Sequence, residues 1–100
     1  MRLRLHREAS EELDAAARWY EEQGRGLGDD LLGEVDRALT ALTESPEAWP
    51  ILRRKSALRR FLLSRFPYSV IYDFVGGEVR VFAVAHSKRR PGYWRKRRFR

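Results

Sequence analysis

One hundred residues, 43% of them hydrophobic, amount to a single small domain over residues 1–100, and the absence of cysteine excludes a disulfide framework and any thiolate metal site. No apolar run approaches the ~18 residues of a spanning helix, and the opening MRLRLHREAS lacks the apolar core of a signal peptide, so the chain reads as cytoplasmic with no membrane partner. The net charge of +7 is unevenly divided: residues 1–50 carry six arginines against twelve carboxylates, a balance of −6, whereas residues 51–100 carry fifteen lysines or arginines against Asp73 and Glu78, a balance of +13.

A field of that size in one half draws phosphates or an acidic protein, where a lesser excess would serve only to solvate the surface. The chain opens on MRLRLHRE, whose alternation predicts a short strand with Leu3 and Leu5 inward. In EASEELDAAARWYEEQ the apolar positions Ala9, Leu13, Ala16, Ala17 and Tyr20 recur at helical steps with charge on the opposite face. The glycines of GRGLG break this helix. A second helix follows, with Asp29 and Asp30 favouring its positive end and Leu32, Val35, Leu39 and Leu42 as its stripe. Pro46 in ESPEAWP ends it, and two helices joined this closely pack as an antiparallel hairpin.

The basic half is strand-forming. The runs ALRRFLLSRFPYSVIYDF and EVRVFAVAH are rich in Val, Ile, Phe and Tyr, and Gly76-Gly77 between them fits a two-residue hairpin loop. Alternation places Tyr68, Val70, Tyr72 and Phe74 on one face of the first strand. In the second it places Val79, Val81, Ala83 and Ala85 on one face and Arg80, Phe82, Val84 and His86 on the other. Both faces are largely apolar, so the helices cover one side and the C-terminal segment the other. The order is β-α-α-β-β-β, an α+β fold with the helices on one face of the sheet.

Several side chains carry two readings. His86, at a strand end, either moves protons near neutral pH or caps the strand; His6 has the same alternatives, and two histidines without carboxylate partners make no metal pattern. In RRPGYW, Arg89 and Arg90 could hold phosphate with Tyr93 and Trp94 stacking on bases, or the Pro-Gly turn could fold Trp94 back to plug the uncovered face of the sheet. Trp19 lies one position off the helical stripe, as an interface residue would, whereas Trp49 reads as core. Residues 95–100, RKRRFR, read as a basic, flexible end.

The segments FPYSVIYDF, VRVFAVAH and RRPGYW, in that order behind a strand and a helical hairpin, resemble the RelE/ParE superfamily of toxins from bacterial type II toxin–antitoxin modules, over Leu3 to Arg95. The resemblance implies a growth-arresting toxin held silent by a co-expressed, acidic and partly disordered antitoxin, with no cofactor. The superfamily divides by target. RelE-like members are metal-independent endoribonucleases that cut mRNA on the ribosome; ParE-like members poison DNA gyrase without nuclease chemistry. Arg60, His86, Arg89 and Tyr93 could supply the proton transfers and phosphate contacts of the first kind. Yet Ser69 stands after Tyr68 where the nuclease pattern has arginine, and Leu62 where it often has lysine, which favours the ParE-like branch, with the ribonuclease as alternative and a plain nucleic-acid-binding domain as a third reading. The residues expected to meet target or antitoxin are Arg59, Arg60, Arg80, Arg89, Arg90 and Tyr93.

Overall fold

The computed structural model describes residues 1–53 and 56–99. Strand β1 (Arg2–Leu5) leads into helices α1 (Arg7–Gln23) and α2 (Leu27–Glu44), a short turn of tighter helix at Pro46–Ala48, and strands β2 (Arg59–Leu62), β3 (Tyr68–Val75) and β4 (Glu78–His86). The sheet order is β1-β4-β3-β2, with β1 parallel to β4 and the other two pairs antiparallel. The mixed sheet follows from connectivity: the helical hairpin carries the chain over the sheet and returns it to the far edge, after which β2, β3 and β4 meander back beside β1.

His6 caps α1, its Nδ1 accepting the Glu8 N–H at 3.1 Å. The turn into α2 is tight because Glu21, in the last turn of α1, accepts the N–H groups of Gly26 (3.0 Å) and Gly28 (3.0 Å) and so caps α2 across the hairpin. Gly26 has φ 86°, and a Cβ on Gly28 would stand 2.7 Å from the Ala17 carbonyl oxygen, so the helices approach here only through glycine. The second helix therefore starts at Leu27, with Asp29 and Asp30 inside its first turn.

That start fixes the rotation of α2. Leu31 is fully buried while Leu32 is 38% exposed, which corrects the stripe expected from periodicity at its first position; Val35, Leu39 and Leu42 are buried as expected. Leu5 packs against the core, but Leu3, near the start of an edge strand, is 41% exposed rather than inward. One apolar cluster lies between helices and sheet around Leu31, Leu42, Val70, Tyr72 and Val81; Trp49 joins it as expected, and the Tyr72 hydroxyl donates to the Pro46 carbonyl at 2.7 Å. On the opposite face Ile71, Ala83, Ala85 and Trp94 form a second cluster, so Trp94 is the plug that covers the sheet away from the helices.

Gly76 and Gly77 (φ 58° and 75°) make the hairpin turn between β3 and β4. Farther along that ladder Tyr72 pairs with Val81 and Ile71 with Ala83, leaving Phe82 as an extra residue in β4. This bulge reverses the alternation expected for the second half of the strand. Val79 and Val81 belong to the helix-side cluster whereas Ala83 and Ala85 belong to the opposite one, and Val84 and His86 turn toward α1.

Glu34, on the buried face of α2, shows how a carboxylate is kept inside. Its Oε2 accepts the Ser64 N–H (2.6 Å), the Ser64 hydroxyl (3.0 Å) and the Arg65 N–H (3.3 Å), tying α2 to the turn between β2 and β3. Burial opposes the charge, but these donors outweigh it and hold the carboxyl below its ordinary value of 4.5. A lowered folded-state value means the stabilisation is complete above the ordinary carboxylate range and is lost as pH falls through the lowered one. Glu34→Gln is expected to cost ~1.5–3 kcal/mol at neutral pH, because the bonds to charge are lost, and to flatten the acid limb of stability against pH measured by urea unfolding. An unchanged acid limb would show that other carboxyls set it.

Candidate functional site

A groove of ≈ 310 Å³ opens between α1 and the end of the β3–β4 ladder, lined on the helix by Glu12, Ala15, Ala16 and Trp19 and on the sheet by Tyr68, Val84 and His86, with Arg89 and Tyr93 closing its end. Each side contributes for a local reason. Residues 12, 15, 16 and 19 are helical neighbours, spaced three and four apart, so one face of α1 presents them together. Tyr68 and His86 are directly opposed in the β3–β4 register, and the bulge at Phe82 turns His86 to this side. The turn after β4 begins where His86 Nδ1 accepts the Lys88 N–H at 3.0 Å, and Gly92, at φ 82°, bends the chain back so that Tyr93 returns to α1.

Glu12 organises the groove. It accepts hydrogen bonds from the Val84 N–H (3.0 Å), the Tyr93 hydroxyl (2.6 Å) and both terminal nitrogens of Arg97 (3.0 and 2.9 Å). Arg97 also donates to the Phe82 carbonyl at 2.8 Å, which joins α1, the bulge and the C-terminal segment in one network. The sequence reading missed both residues. For Glu12 the signal was present: it lies between Ala9 and Ala16 at helical steps, a carboxylate inside the apolar stripe. Nothing in the sequence separates Arg97 from its neighbours in RKRRFR, the segment expected to be flexible; here its side chain is 9% exposed.

The other expected residues divide clearly. His86, Arg89 and Tyr93 share the groove, and Arg90, exposed beside it, offers its carbonyl to the Tyr93 N–H at 3.3 Å. Arg60 does not join them: it pairs with Ile71 on edge strand β2, two strands from β4 and at a register position on the Trp94 side of the sheet. Arg59 spends its guanidinium on the carbonyls of Glu47 (3.0 Å) and Trp49 (2.6 Å). Arg80 grips Asp73 through Nε (2.8 Å) and Nη2 (2.6 Å), a fork-to-carboxylate pair on the face away from the helices.

The chemistry open to the groove follows from these partners. Burial, and then the Glu12 acceptor, push the Tyr93 hydroxyl well above its ordinary value of 10.0, against the smaller opposing pull of Arg97 and Arg89, so it is a neutral donor bound to a carboxylate. The Arg89 guanidinium lies over the Tyr93 ring, 3.9 Å from its centre. His86 packs edge-on against Tyr68 with ring centres 5.0 Å apart. The groove thus presents cation, ring and imidazole edges beside Trp19, which is 55% exposed. Among the described residues no group of three or more His, Cys, Asp or Glu side chains could hold a metal ion, and no helix is long and apolar enough to cross a membrane.

No curated protein sequence matches the chain significantly. Among solved structures it is similar to a chain of the chromosomal ParDE toxin–antitoxin system from P. aeruginosa, at 18% identity and a TM-score of 0.71, over 88% of this chain and 97% of that one; the likeness is one of fold. The family model for the ParE toxin of the type II toxin–antitoxin system parDE matches residues 3–91, which span β1, the hairpin, the meander and the turn that carries Arg89 and Arg90. The chain belongs to the ParE family of type II toxins.

Proposed function

We propose that the chain arrests growth by acting on DNA gyrase, without nuclease chemistry, and that an acidic antitoxin segment neutralises it. The observation that carries this reading is the state of the four residues a ribonuclease would need. Cleavage through a 2′-hydroxyl requires a base, an acid and phosphate-binding cations converging within ~3 Å of one phosphate. Arg60 is across the sheet, Tyr93 is a donor already bound to Glu12, and Arg89 rests on the Tyr93 ring. His86 alone is left to move a proton. A protein surface makes better use of the same groove: exposed tryptophan beside arginine and tyrosine is the composition of a binding hot spot.

The antitoxin reading is supported by a second surface. Leu13, Leu32, Val35 and Leu39 line an apolar groove of ≈ 430 Å³ along the outside of the helical hairpin. An amphipathic helix fits such a groove by its apolar face. Its carboxylates would meet Arg89 and Arg90, which carry no ion pair among the described residues, rather than Arg59 and Arg80, whose guanidiniums are already engaged.

Supercoiled DNA with purified gyrase should accumulate cleaved product when the chain is added, while ribosome-bound mRNA in a purified translation system stays intact. Cut mRNA with unaffected gyrase would overturn the assignment in favour of the ribonuclease. Arg89→Ala with Arg90→Ala, both exposed, should abolish growth arrest while lowering stability by no more than about 1 kcal/mol, the worth of the exposed stacking of Arg89 on the Tyr93 ring. Arrest that survives the double substitution would remove these arginines from the target surface.

A further inference from the structure

On the other side of the C-terminal segment, between it and β1, a cleft of ≈ 720 Å³ is lined by five cationic side chains, Arg4, Arg7, Lys96, Arg97 and Arg98, against one carboxylate, Glu8. That carboxylate is already answered by Arg97, whose Nε lies 3.1 Å from it. Arg97 also holds Glu12, so it forms the floor of the cleft, and the lining as a whole carries a net positive charge. Lys96 and Arg98 are exposed. Arg7 reaches Glu11 at 3.8 Å with its side chain 85% exposed, and Arg4 reaches Glu78 at 3.7 Å with 42% exposed. Ion pairs this long contribute little, least of all that of Arg7, which lies on the open surface.

Phe99 is anchored over this cleft. Phe99 stands edge-on to His6 (5.6 Å) and to Phe82 (4.8 Å), with the guanidiniums of Arg4 and Arg80 each 5.2 Å from its ring centre. The anchor holds Lys96 and Arg98 opposite Arg4 and Arg7.

We propose that this cleft binds the phosphodiester backbone of duplex DNA. Charge of one sign on two facing walls is what a chain of phosphates recognises, and arginine forks and lysine suit phosphate oxygens. The state of the rings selects duplex over single strand. A single-strand groove needs aromatic faces on which bases stack, whereas here the Tyr93 ring is occupied by Arg89 and Arg97 and the Phe99 ring by Arg4 and Arg80. An acidic protein segment would need apolar surface to bind tightly, and apart from those covered rings the lining offers only Leu5.

Binding of a fluorescein-labelled 20-base-pair duplex to the full chain, followed by anisotropy across a salt series with no gyrase present, tests the cleft independently of the gyrase assignment. The wild-type chain should bind with steep salt dependence. Lys96→Ala with Arg98→Ala should weaken binding more than tenfold and lower the slope of log affinity against log salt by roughly 2, at about 0.9 per lost phosphate contact. Arg25→Ala with Arg37→Ala removes the same charge elsewhere and should leave the slope unchanged. Phe99→Ala changes no charge, yet by releasing the anchor it should weaken binding severalfold. Equal losses from the two double variants, or full affinity in Phe99→Ala, would reduce the binding to bulk charge and overturn the proposal. Tighter binding of a matched single strand, or displacement of the duplex by polyglutamate at equal charge concentration, would overturn it as well.

Discussion

Glu12→Ala is expected to destabilise the protein by about 3–5 kcal/mol and to abolish growth arrest. The magnitude comes from what the substitution strands. Arg97, with its side chain 9% exposed, would lose both bonds to Glu12, and the Val84 N–H beside the bulge would lose its acceptor. An uncompensated guanidinium in that position costs far more than the intact pair contributes, because charge taken from water must be answered. Glu8, 3.1 Å from Arg97 Nε, offers partial relief and argues for the lower end of the range. The double variant Glu12→Ala with Arg97→Ala should recover part of the loss, since it removes the stranded charge together with its partner. Urea unfolding of the two single variants and the double gives the coupling directly. A coupling energy indistinguishable from zero would show that the two residues do not act as a pair.

Glu12 belongs to a pattern that also explains a small part of the charge asymmetry. Three carboxylates occupy inward positions of otherwise apolar periodicities: Glu12 in α1, Glu34 in α2 and Asp73 in β3. Glu12 and Glu34 are answered from the basic half of the chain, the first by the charge of Arg97 and by Tyr93, the second by Ser64 and the Arg65 backbone, whereas Asp73 is answered by Arg80 within the basic half itself. Part of the opposition between −6 and +13 therefore holds the two halves together. What remains unspent, at Arg60, Arg89 and Arg90 and around Lys96 and Arg98, is the share available to partners.

The fold was legible wherever local chemistry decided it. Gly76 and Gly77 fix the hairpin because both positions take positive φ, and Trp94 closes the open face because Pro91 and Gly92 turn the chain there. Order and type of the elements followed from periodicity. What periodicity could not reach were the facts set by contacts distant in sequence. The parallel pairing of β1 with β4 joins residues more than seventy positions apart. The bulge at Phe82 depends on how β4 meets β3 and α1 together, and without it His86 would be expected on the wrong side of the sheet. The groove was half legible in consequence: His86, Arg89 and Tyr93 were named from their types, but Glu12, which brings α1 to them, looked like one more solvated carboxylate in an acidic helix.

The adjacent leucines at the start of α2 provide the other large effect. Both fit a helical stripe, Leu31 with Val35, Ala38 and Leu42, and Leu32 with Val35, Leu39 and Leu42, so the sequence cannot choose between them. The close approach of Gly28 to the Ala17 carbonyl chooses, by fixing the rotation of α2 against α1, and it buries Leu31 completely. Leu31→Ala should therefore cost about 2–5 kcal/mol, the lost transfer energy plus the cavity left between helices and sheet. Leu32→Ala should change stability by no more than about 0.5 kcal/mol, because its side chain already faces solvent on the outer surface of the hairpin. The two variants should exchange ranks when the readout is binding to the purified antitoxin. Leu32 lines the apolar groove proposed for the antitoxin helix, so its truncation should weaken the complex at least several-fold, chiefly through faster dissociation. Leu31→Ala, measured where it is still folded, should bind nearly as the parent does. Equal destabilisation by the two substitutions would mean that α2 is rotated relative to the sheet from the arrangement described, and undiminished antitoxin affinity in Leu32→Ala would place the antitoxin on another face.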